Sequence, residues 1–384
     1  MRLAWLALSL AVSVVPCSLA TAAPSGAASE PVATALREHA QLALGSYREA
    51  VAGLHDLQAA VGELLARPSK PSLEKARAAW ISCRDAYGRT EALRFSGGPI
   101  DDLHPITGVQ GPEGRINPWP IDEAYLDYVA GEPTSGLISD RRVPMAESTL
   151  VSRNAADDET QVTLGYHAIE FLLWGQDRSR EGPGARPYTD YASGDPVRDR
   201  RRACLKLQVE LLIRDLTYVA DEWTPGPDRY VNTFLALPPA DALGRALSGP
   251  ATLAAFELAS ERIGIPLSTG MQEHEQSCFS DNTHRDIAAD VDGIVRVLAG
   301  DSTHAGLLAA LDTASAQEIR ERLARIRHLA HAITPPFDAI LSSDEFDPRR
   351  RGLQALMGEL LGLSGAIQRA GEAAGARVMI GGGG

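Results

Sequence analysis

The chain has 384 residues, 44% of them apolar and 5% aromatic, with a formal net charge of −13. That acid surplus excludes nucleic acid and anionic membrane surfaces as partners and suits cations. With 4 cysteines and no C-x-x-C, neither a disulfide framework nor a thiolate zinc site carries the fold.

Arg2 followed by the apolar run Leu3 to Val15 and the small-residue pattern Leu19-Ala20-Thr21-Ala22-Ala23-Pro24 predicts a cleaved signal peptide over residues 1–23. Lipidation at Cys17 is the alternative, but Val14-Val15-Pro16 is a poor approach to it. Later segments lack the 18 or so consecutive apolar residues of a membrane span, so the mature chain is expected in the periplasm or cell envelope. Helical periodicity predicts helices over Pro31–Ala66, Leu73–Phe95 with Ser72 as N-cap, Thr160–Gly175 and Val197–Trp223. It predicts others over Ala240–Ile263, Asp286–Ala299, Ser315–Ile333 and Gly352–Val378. Strand signals are nearly absent, so the fold class is all-α, a helical bundle or two. Between them, residues 96–145 form a Pro/Gly-rich loop with helix only over Ile121–Val129, and long ordered loops of this kind are often functional. A soft boundary near Asp195 divides the mature chain into domains 24–195 and 196–384.

Three places hold polar chemistry. In Gly165-Tyr166-His167-Ala168-Ile169-Glu170, apolar neighbours surround the helix and bury it, while His167 and Glu170 share one face. A buried carboxylate needs a partner or a metal, and imidazole with carboxylate makes half a site for iron, zinc or manganese. A hydrogen-bonded core pair is the simpler alternative. Gly165 inside a helix invites close approach of another backbone. The second place is the stripe Trp80, Arg84, Tyr87, Glu91, Arg94, whose alternating steps of four and three hold one helix face. It leads into the Asp101 and Trp119-Pro120-Ile121-Asp122 segments, and a solvated face is its simpler explanation. The third is Glu273 to Asp286, dense in polar groups, where Ser280, Asp281 and His284 exceed what helix capping requires.

Together the G-x-H-x-x-E hexapeptide, the W-x-x-x-R-x-x-Y-x-x-x-E-x-x-R-F run, P-I-D, W-P-I-D-E and S-C-F-S-D-N-T-H resemble the imelysin-like family, in particular its iron-regulated protein A branch. The match runs from about Trp80 to Pro336. The resemblance implies an exported, two-domain all-α protein with its site at the domain interface, linked to bacterial iron uptake. The family also carries a metallopeptidase label. Against that label, His274-Glu275 is followed by Cys278 rather than the second histidine of H-E-x-x-H, and Phe171 replaces the histidine of H-x-x-E-H.

The expectation is an exported metal-binding protein of iron uptake. His167, Glu170, Glu91, Asp101 and Asp122 would be the ligands, and Arg84, Arg94, Gly165, Ser280, Asp281 and His284 would support or line the cleft. Oxygen-rich ligands favour iron, with manganese or zinc as alternatives. The ion or an iron chelate would be the partner, with other envelope iron-uptake components beside it. An imelysin-type metallopeptidase and a metal-free helical interaction protein are the competing functions.

Overall fold

The structure is a computed structural model and describes residues 30–381; the signal-peptide and Cys17 expectations lie outside the described residues. Among the described residues there are helices and loops, with two isolated bridges and no strand, as an all-α chain requires. Glu30–Ala66 is the longest helix, and its Tyr47, Leu54, Leu57 and Leu64 are sealed in the core. It packs against Lys70–Gly88, whose start is fixed by a capping box in which the Ser72 amide donates to the Ser69 hydroxyl and the Ser69 amide to the Ser72 hydroxyl. Pro196–Glu222, capped by Asp195 on the amides of Val197 and Arg198, covers the other side of the first helix. Gly165–Trp174 sits against both Lys70–Gly88 and Pro196–Glu222, and all ten of its residues are buried.

A second group of helices joins Pro239–Thr252, Thr283–Ala299, Thr313–His331 and Pro348–Ala373 around a twelve-residue π-helix, Leu253–Gly264. Pro250 lies just before that switch to wider winding, where a ring without an N–H removes one bond from the α-helical ladder. The two groups meet where Lys70–Gly88 lies on Thr283–Ala299, and one buried cluster of apolar side chains runs through both. At that seam Gly293 lets the backbone of Arg89 press in, since a Cβ there would stand 2.6 Å from the Arg89 carbonyl oxygen. The expected division near Asp195 falls at a helix N-cap, yet the helix it opens packs with the first group.

Two expected helices shift in a way that matters for the site. Leu73–Phe95 was too long: the helix stops at Gly88, and Glu91–Leu93 is a separate 3-10 turn. Thr160–Gly175 was also too long, because the helix begins at Gly165 and Asp157 to Glu159 lie in the loop before it. The long 96–145 loop is ordered by short helical turns, among them Glu123–Leu126 in place of the expected Ile121–Val129, and by one buried anchor. That anchor is Asp127, which accepts from Arg186 Nη1 at 2.6 Å and from Arg201 Nε and Nη2 at 2.7 and 2.9 Å. All three side chains are almost fully buried. Removing one member of such a group leaves uncompensated charge in the core, so Asp127→Ala should lose roughly 3–5 kcal/mol of stability. Urea unfolding of the variant checks this; a loss near zero would mean that the loop is held by other contacts.

Candidate functional site at the helix-group interface

Glu91 stands at the centre of the interface with no exposed surface. Its Oε2 accepts from Arg262 Nη2 at 2.6 Å and Arg94 Nη1 at 3.3 Å, and its Oε1 accepts from Asn117 Nδ2 at 3.1 Å. Burial raises its carboxyl, but Arg262, Arg94 and Arg84 outweigh burial and bring it down to about 2. The lattice spreads from there. Arg262 Nη1 meets Asp290 at 2.7 Å, while Arg84 meets Asp286 at 3.2 Å and the Asn117 oxygen at 2.5 Å. Asp286 also accepts from the Ser277 hydroxyl and, at 3.0 Å, from Asn282 Nδ2. Arg84 further lies over the rings of Tyr87 and Tyr166, at 5.3 and 5.2 Å from their centroids.

His167 and Glu170 form a second, smaller unit. The hexapeptide glycine opens their helix with φ +87°, a conformation costly to any other residue, and a Cβ on Gly165 would meet the Ile116 carbonyl oxygen at 2.5 Å. Close approach of another backbone is thus why glycine stands there, at the helix start rather than inside it. His167 Nδ1 lies 2.8 Å from Glu170 Oε2, and Glu170 Oε1 accepts from the Ser280 amide at 2.9 Å and its hydroxyl at 2.7 Å. Burial, and secondarily Arg84 and Arg262, hold His167 well below its usual range. Burial pushes Glu170 well above its own, aided by Asp286 and opposed by Ser280. Burial thus works against charge on either group. Glu170 Oε1 takes both Ser280 donors and Oε2 shares one proton with His167 Nδ1, which leaves Nε2 as the ring's other nitrogen. That nitrogen is buried without a partner.

The five expected ligands do not gather. Glu91 and Asp101 serve arginines: Asp101 accepts from Arg94 Nε and the Phe95 amide, each at 2.9 Å. Asp122 lies exposed in the wall of a separate cleft. His167 and Glu170 do come together, with Ser280 as expected, but no third ligand joins them. Among the described residues no three His, Cys, Asp or Glu are placed to hold one ion. A cation at His167 Nε2 would also lie in the field of Arg84 and Arg262. This pair does not fit a resident metal. Glu91 was misassigned because its helix ends early and because Arg262, a lone arginine in an Ala- and Leu-rich run, gave no signal of its destination. Of the other supporting residues, Arg94 binds Asp101, Asp281 leans on Asp177, and His284 Nδ1 lies 3.0 Å from the Asp281 carbonyl oxygen.

In front of this core lies a cleft of about 500 Å³, framed by Trp119 to Glu123, Gln176 to Arg178 and Gln272 to Phe279. Asp122, Glu123, Asp177 and Glu273 line it, with Arg178 as the cation among them. Burial raises the Glu123 carboxyl, with Glu273 and Asp122 adding to the rise and Gln176 opposing it. The Trp119 indole donates to the Glu275 carbonyl at 2.8 Å, and Phe279 packs on Phe171 with centroids 5.1 Å apart. One residue beyond Phe279, Ser280 grips Glu170, so the histidine pair lies directly behind the cleft wall. Glu123, Asp177, Glu273 and Glu275 were not singled out from sequence. Glu273 and Glu275 lay inside the polar-dense segment, whereas Asp177 carried no signal.

If the Glu91 lattice holds the seam, its charge is what acid attacks. A carboxyl lowered from about 4.5 to about 2 by folding contributes stability that is complete above pH ~4.5 and disappears as pH falls toward ~2. Glu91→Gln should therefore lower stability at pH 7 by roughly 3–5 kcal/mol and flatten the decline between those limits. Denaturant titrations at a series of pH values would show it; an unchanged acid limb would contradict the assignment.

The comparisons agree with this architecture. A curated relative, iron-regulated protein A of Synechococcus elongatus, is 26% identical over 319 residues, covering 79% of this chain and 76% of that one. A crystal structure of a candidate iron-regulated protein A precursor from Parabacteroides distasonis superposes with a TM-score of 0.67 at 17% identity, covering 91% of this chain and 97% of that one. An imelysin-like protein from Psychrobacter arcticum gives 0.65 at 16%, covering 94% and 100%. These two likenesses establish the all-α fold. The family model described as Imelysin, which bears the peptidase M75 label, matches residues 43–362, and the chain therefore belongs to the imelysin family.

Proposed function

We propose that this protein receives an iron cation as cargo in the cell envelope and that the acidic cleft is where the ion lands. The carrying observation is that Asp122, Glu123, Asp177 and Glu273, drawn from three chain segments, line one cavity of about 500 Å³. Like charges placed together are costly alone and are relieved by a cation, and hard carboxylate oxygens suit iron or manganese. The name of the Synechococcus relative supports the link to iron. Because the donors are not gathered in advance, the ion must draw them in, which suits a cargo that has to be released. Export rests on the signal-type segment at residues 1–23, and no described helix is long and apolar enough to cross a membrane. The ion would come from, or pass to, other envelope components of iron uptake.

The peptidase label finds no support in the geometry. His167 and Glu170 have no exposed side-chain surface, so no peptide bond reaches them. Equilibrium dialysis of the mature protein against ferrous and ferric iron, followed by metal analysis, tests the cargo reading. The wild type should bind iron, and Asp122→Asn with Glu273→Gln should weaken binding by about tenfold or more, as loss of ligand charge does elsewhere. Binding that survives this change but disappears in His167→Ala would contradict the cleft and restore the histidine as a ligand.

A further inference from the structure

Beside the cleft, and sharing Asp177 with it, is a nest of acids in a different state. Glu275 is 1% exposed, and neither of its carboxyl oxygens has a hydrogen-bond partner; Thr283 lies near it but falls short of bonding geometry. Asp338 is 3% exposed, and its Oδ2 is likewise without a partner. Asp281, Asp177 and Asp338 all lie within Coulomb reach of Glu275. Asp177 Oδ2 also accepts from the neutral amide of Gln272. Buried acceptors without donors cost free energy, so three such oxygens in one place require an explanation. The arginines that satisfy the other buried acids, Arg84, Arg94, Arg186, Arg201 and Arg262, all bond elsewhere.

We propose that this nest, Glu275 with Asp338, Asp281 and Asp177, is a binding site for a guanidinium group entering from the cleft. The kind of cation follows from the spread of the acceptors. A metal ion needs donor atoms about 2.0–2.6 Å from one centre. No three acids among the described residues converge in that way. A guanidinium instead carries five N–H donors in a planar fork, each reaching its own acceptor at about 2.7–2.9 Å. It can take both oxygens of Glu275 side by side and still reach Asp338 or Asp177, which a compact ammonium cannot do. Displacing the Gln272 amide exchanges a neutral donor for a charged one. The chain holds a candidate competitor of its own: burial raises the Asp338 carboxyl, and Arg180, on the exposed stretch after Asp177, opposes that rise from nearby without making an ion pair.

The site is independent of the iron reading, since cargo could fail to bind at the cleft mouth and leave the nest intact. The test is isothermal titration of the mature protein and of Arg180→Ala with agmatine, with an arginine-containing peptide, and with putrescine as the matched amine. Agmatine binding that exceeds putrescine by about tenfold or more, the gain of a bidentate charge-assisted pair, is expected. Binding of the peptide in place of agmatine would assign the guanidinium to a protein side chain and equally support the site. Glu275→Gln, nearly isosteric and unable to ionise when a cation arrives, should fold, weaken guanidinium binding about tenfold or more and abolish the preference over putrescine. Thermal melts supply a second readout, because agmatine should raise the melting temperature of the wild type and not of Glu275→Gln. No binding of either guanidinium source to the wild type and to Arg180→Ala would overturn the proposal. Equal affinity for putrescine, or wild-type affinity in Glu275→Gln, would do the same.

Discussion

A carboxylate with no exposed surface has to be met by positive charge, and at Glu91 that demand determines the arrangement around it. Arg262 from the π-helix, Arg94 from just beyond the 3-10 turn and Asn117 from the Pro-rich loop each spend a donor on it. The same three elements are thereby fastened across the seam between the helix groups. Asn117 sits two residues before Trp119, so the lattice also fixes where the Trp119 to Glu123 wall of the cleft begins. Breaking a pair of this kind is costly because the survivors stay buried and charged. Specificity of packing, rather than net stabilisation, is what such a lattice gives a protein already built on a continuous apolar core.

The acids of this chain fall into two sets by what they face. Glu91, Asp127, Asp286 and Asp290 face arginines and serve the fold. Asp122, Glu123, Asp177, Glu273, Glu275 and Asp338 are not ion-paired among the described residues, and they gather on one side, around the cleft and the nest behind it. Between the two sets lies His167–Glu170–Ser280, whose hydrogen bonds couple the cleft wall to the core. The acid surplus of −13 is thus partly concentrated where an incoming cation meets it.

Much of this was legible in the sequence, and what was not has physical causes. The absence of alternating strands and the helical spacing of apolar residues made the helical class plain. The stripe Trp80, Arg84, Tyr87 does face a neighbour, and an apolar-all-round helix did bury His167 and Glu170. The stripe failed beyond Gly88, since residue spacing describes a face only while the helix lasts. Glu91 looked like a ligand because sequence shows a buried acid but not its counter-ion, and Arg262 lies 171 residues away along the chain. The acids of the cleft and the nest were unreadable for a related reason: being unpaired is a property of surroundings, which only the fold assembles.

The most direct test of the cargo account is anomalous diffraction from crystals of the mature protein soaked in iron or manganese, which locates the ion without reference to any activity. The account predicts a peak in the cleft, within coordination distance of Asp122, Glu123, Asp177 or Glu273. A peak at His167 Nε2, with the cleft carboxylates unchanged, would contradict it.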